Sequence, residues 1–63
     1  MANVVLNKQL DAKLDELMER PNNKYNRGIL HGFLLALTTE GRLDDNEAIE
    51  LLEKFGEKEE VGA

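Results

Sequence analysis

The stretch Asn26 to Leu37, NRGILHGFLLAL, constrains this chain more than any other part of it. At helical spacing it is apolar or small on almost every side, and only Arg27, His31 and the following Thr38 make a plainly polar strip. A helix of that kind is not the outer wall of a small domain, because more than one of its faces has to be covered. It belongs at the centre of the structure.

The cover has to come from few residues. The chain has 63, enough for one domain. A domain of about 60 residues buries only about 60% of the surface its unfolded chain exposes, so its own core is thin. Disulfides, a metal or oligomerisation commonly supply the rest. There is no cysteine, which removes disulfides and thiolate metal sites, and a single histidine leaves no histidine-rich zinc site within one chain. Oligomerisation is left, and a homodimer is expected.

Three helical periodicities are legible, and no segment alternates with period two over a useful length. The first spans about residues 4 to 20. Leu6, Leu10, Leu14, Leu17 and Met18 share one face, with Lys8, Asp11, Asp15 and Glu19 opposite. Asn3 or Asn7 suits its N-cap, and Pro21 with Asn22-Asn23 makes the turn that ends it. The second spans about Lys24 to Thr39. Its main apolar arc is Tyr25, Ile29, Leu30, Phe33, Leu34, Ala36 and Leu37, and Gly41 is placed to stop it in a left-handed conformation. The third spans about Asp45 to Phe55. Asp44 is the expected N-cap, Glu47 the reciprocal partner of a capping box, and Leu43 packs on Ala48 as a staple. Ala48, Ile49, Leu51, Leu52 and Phe55 form its apolar face, Gly56 ends it, and residues 57–63 read as a solvated tail. The fold class is therefore all-α: a helical hairpin plus an N-terminal helix, one domain over residues 1–63, assembling into a dimeric helical bundle.

Two clusters are candidates for function. Gly28, Gly32, Leu35 and Thr39 form a smooth stripe beside the main arc of the second helix. Glycine inside a helix costs about 1 kcal/mol against alanine, so a benefit should offset it. One reading is close packing against another helix of the same chain; the other is contact with a second subunit or a partner. Leu35 lies on the glycine side, away from the main arc, and favours the second. The other cluster is basic: Arg20, Lys24 and Arg27, with His31, gather about the Pro-Asn-Asn turn. It serves either as counter-charge for the acidic third helix or as a site for an acidic partner.

Charge narrows the partners. The formal net charge is −5. Residues 40–63 hold nine acidic and three basic side chains, whereas residues 21–39 hold Lys24 and Arg27 and no acid. An acidic chain lacks the basic face of a general nucleic-acid binder. The third helix is also a poor recognition helix, because Asp45, Glu47, Glu50 and Glu53 would meet phosphates. The string EGRLDDNEAIELLEKF resembles part of a calcium loop, but with Gly41 as the loop glycine its first ligand position falls on Ala36, and calcium binding is rejected. No Gly-rich phosphate loop, nucleophile elbow or carboxylate pair with a pocket is present, and His31 has no acid on its own helix to orient it as a base.

No catalytic residue, metal ligand or cofactor is therefore expected. The sequence shows no secretory leader and no apolar run of membrane-spanning length; cysteine is absent, and a cytoplasmic location is expected. The expected function is that of a non-enzymatic protein–protein interaction module with an unidentified protein partner. The alternative is a nucleic-acid-related protein, either an acidic mimic or a dimer binding structured RNA.

Overall fold

A computed structural model describes residues 6–60, which form three helices and contain no strand. They are α1 (Lys8–Met18), α2 (Lys24–Thr39) and α3 (Asp45–Gly56). The all-α reading holds. Asn3, Val4 and residues 61–63 lie outside the described residues.

Each helix starts where a short polar side chain takes up a free backbone donor. The Asn7 side chain accepts from the Leu10 N–H at 2.8 Å, and that of Asn23 from the Asn26 N–H at 2.7 Å. Asp44 accepts from the Asn46 N–H at 3.1 Å. The cap of α3 is therefore the expected residue, but it engages the second helical position rather than the third. No Glu47 hydrogen bond closes a capping box among the described residues.

The helix ends differ from one another. α1 stops at Met18, short of Arg20, since proline at 21 disfavours helical geometry in the residue before it. α2 ends in a Schellman motif. Gly41 has φ +74°, its N–H donates to the Thr38 carbonyl at 3.1 Å, and the Arg42 N–H donates to Leu37 at 2.9 Å. Gly56 does not repeat this role. It lies inside α3 in right-handed geometry, and the helix closes with a tight turn in which the Lys58 N–H donates to the Phe55 carbonyl at 3.2 Å.

α2 is the central element and packs against both α1 and α3. The buried core consists of Leu14 and Leu17 from α1, Leu30, Leu34 and Leu37 from α2, Leu43 before α3, and Ala48 and Phe55 within it. Leu43 and Ala48 thus share the core, as a staple requires. Three expected core positions are corrected. Tyr25 is 75% exposed and Ile49 53% exposed, and Ala36 also faces solvent. For Tyr25 and Ala36 the cause is that α1 and α3 cover only part of the α2 cylinder, whereas Ile49 stands on α3, whose roll leaves it outside the core. An 11-residue helix and a 12-residue helix, both packed on a 16-residue one, leave an arc of it with nothing over it.

The segment after α3 is tied back. Asn22 and Glu60 form an isolated parallel bridge, and Asn22 is the one buried polar residue among those described. Glu57, Glu59 and Glu60 are exposed, as a solvated stretch requires, but their backbone follows the α1–α2 turn.

Candidate interaction surface

The uncovered arc of α2 runs through Leu35, Gly28, Thr39, Gly32, Tyr25 and Ala36, all of them exposed. Helical rotation of about 100° per residue sets these six side by side. A Cβ added at Gly28 or Gly32 would meet nothing within 4 Å. Close packing inside the chain therefore does not account for either glycine, although both carry the propensity cost of a helix interior. Leu35 is 59% exposed, so this face combines small residues with a large apolar one.

A groove of about 280 Å³ lies beside the arc, between α2 and α3. Leu34 and Ala48, both buried, form its floor, and exposed Leu35 and Ile49 form its two rims. His31 on α2 and Asp45 on α3 add polar groups at its edge. Sequence reasoning missed Ile49 as part of this surface. It assigned Ile49 to the core because its spacing matches Ala48 and Leu52; how far α3 is rolled against α2 decides the exposure, and spacing alone does not give that roll.

The basic residues do not form a free cationic strip. Arg20 chelates Glu16: its Nη2 donates to Oε1 at 3.1 Å and its Nε to Oε2, while Lys13 Nζ donates to Oε1 at 3.2 Å. These partners, Arg20 first and then Lys13, hold the Glu16 carboxyl below its ordinary pKa. Arg27 pairs with Glu60 at 3.0 Å. The counter-charge thus comes from α1 and the C-terminal segment rather than from α3. Lys24 and His31 are exposed and make no ion pair among the described residues.

Among the described residues no group of three or more histidine, cysteine or acidic side chains converges as metal ligands would. No described helix is long and apolar enough to cross a membrane. No family model, curated protein or solved structure matches this chain.

Proposed function

We propose that this chain is a non-enzymatic helical interaction module that acts as a homodimer and offers an apolar surface to a protein partner. The observation that carries the reading is the open face of α2, where a Cβ added at Gly28 or Gly32 would meet nothing within 4 Å and Leu35 and nearby Ile49 are both exposed. Two helical glycines and exposed large apolar side chains on one side of so small a molecule are costly in an isolated chain. They become favourable when a second helix covers them. The nucleic-acid reading draws less support, because Arg20 and Arg27 are already occupied by Glu16 and Glu60. The location consistent with this function, given the absence of cysteine, is the cytoplasm.

Gly32→Leu tests the reading. A bulky side chain on the exposed face leaves the monomer's helices intact and blocks close approach of another helix. The expected result is a fall in molar mass at fixed concentration, measured by light scattering, with helicity retained by circular dichroism. An unchanged molar mass and unchanged partner binding would remove the face from any role in contact.

A further inference from the structure

Residues 57–60, the described segment after α3, carry no apolar side chain. Glu57, Glu59 and Glu60 are exposed, and Lys58 alone is half-buried. Apolar burial therefore does little to hold this segment to the α1–α2 turn, and segments held in that way open on a smaller free energy than the core does. Its docking rests on polar contacts of unequal strength. Glu60 pairs with Arg27 at 3.0 Å, between side chains 65% and 43% exposed. Pairs at such sites contribute little and are screened by salt. The Asn22 amide donates to the carbonyls of Gly56 and Lys58, but these are bonds between neutral groups.

Lys58 differs from these. Its ammonium is shared between the carbonyls of Met18 and Arg20 and lies 4.7 Å from the centroid of the Phe55 ring. Hydrogen bonds from a charged donor are about twice as strong as neutral ones, and the ring face adds a cation–π attraction. The two carbonyls stand at the partially negative end of α1, whose last turn has no base. Lys58 is also the single positive charge among three carboxylates, so without it residues 57–60 carry only like charges. We propose that residues 57–60 are a strap latched by the Lys58 ammonium, and that the closed strap masks Arg27 from an acidic partner segment. Loss of that one charge opens the strap as a unit.

Closed, the strap sets Glu60 on Arg27 and runs its backbone beside Asn22, so it occupies the α1–α2 turn in the manner of an acidic peptide. Open, it leaves Arg27 next to Lys24, which lies three positions earlier on the same helix and makes no ion pair among the described residues. α2 holds no acid, so nothing on that helix replaces Glu60. Arg20 is engaged by Glu16 whether the strap is docked or not. The uncovered surface is thus two neighbouring cations at a helix start, and the segment that fits it carries spaced carboxylates as the strap does. This device lies away from the glycine face of α2 and does not depend on the homodimer.

A glutamate-specific protease acting briefly on the full chain reads the latch. It cuts after Glu57 and Glu59 when the strap is undocked, and cleavage after Glu16 and Glu50, inside helices, serves as the internal reference. Lys58→Met removes the charge and keeps an unbranched stem beside Phe55. It is expected to raise cleavage after Glu57 and Glu59 several-fold, with cleavage inside the helices unchanged. No increase, or an equal increase at every site, would overturn the latch. Brief acylation of the native chain with an N-hydroxysuccinimide ester needs no variant. Lys58 is expected to react several-fold more slowly than exposed Lys24 and Lys54, and an equal rate would overturn the latch. The mask is read with a fluorescent pentaglutamate at low salt. Lys58→Met is expected to bind it several-fold more tightly than the native chain, although the variant is one charge more negative, and adding Arg27→Gln is expected to abolish the gain. No gain, or a gain that survives Arg27→Gln, would overturn the mask.

Discussion

Asn22 and Lys58 hold two helix ends to each other. α1 has no basic residue in its last turn, so its free carbonyls lack the usual cation. Lys58 supplies it from 40 residues away: its Nζ accepts nothing but donates to the carbonyls of Met18 and of Arg20, the latter at 2.9 Å. The same ammonium lies 4.7 Å from the centroid of the buried Phe55 ring, where the cation–π attraction adds to the contact. In return the Asn22 amide donates to the Lys58 carbonyl at 2.9 Å and, more weakly, to that of Gly56 at 3.5 Å, just past the end of α3. Asn22 is only 2% exposed, and its loss removes both of these part-buried hydrogen bonds. We predict that Asn22→Ala destabilises the fold by about 1–3 kcal/mol, measured by urea unfolding, whereas exposed Asn46→Ala changes it far less. This clasp was illegible in the sequence. Asn22 and Asn23 read alike, as turn residues after proline, and only the three-dimensional return of the chain separates the helix cap from the buried amide. Lys58 likewise read as one charge in an acidic tail.

At the scale of the elements, the two kinds of glycine make opposite demands. Gly41 sits at φ +74°, which a side chain rarely adopts. Gly28 sits in regular helix with open space where a Cβ would be. Gly41→Ala is therefore expected to destabilise by about 1–2 kcal/mol. Gly28→Ala is expected to stabilise the single chain by about 1 kcal/mol. Thermal unfolding of both variants checks the contrast. The helices themselves were legible because their signals are local: α3 begins after Asp44, Pro21 and the two asparagines break the chain before α2, and Gly41 stops α2 as its position suggests. The roll of each helix against its neighbours was not legible. Tyr25 and Ala36 belong to the apolar arc by periodicity and yet face solvent, because two short helices cover only part of a longer one.

At the scale of the whole molecule, the buried core among the described residues is eight side chains drawn from all three helices and the α2–α3 loop. Leu30, Leu34 and Leu37 anchor it along one side of α2, each at most 3% exposed. The other side of the same helix carries Gly28, Gly32, Leu35 and Thr39 in the open. The central position of α2 was readable from its all-round apolar character; which side the chain would leave uncovered depended on packing. The candidate site was legible to the same extent. Its α2 residues stood out by their spacing, while Ile49 and the occupation of Arg20 and Arg27 by Glu16 and Glu60 emerged only from tertiary contacts. In the proposed homodimer a second copy covers the open side. The most direct measurement is the molar mass of the native chain by light scattering over a wide range of concentration. The homodimer is expected to give the mass of two chains at working concentrations, falling to one only on strong dilution. The mass of a single chain throughout would contradict it.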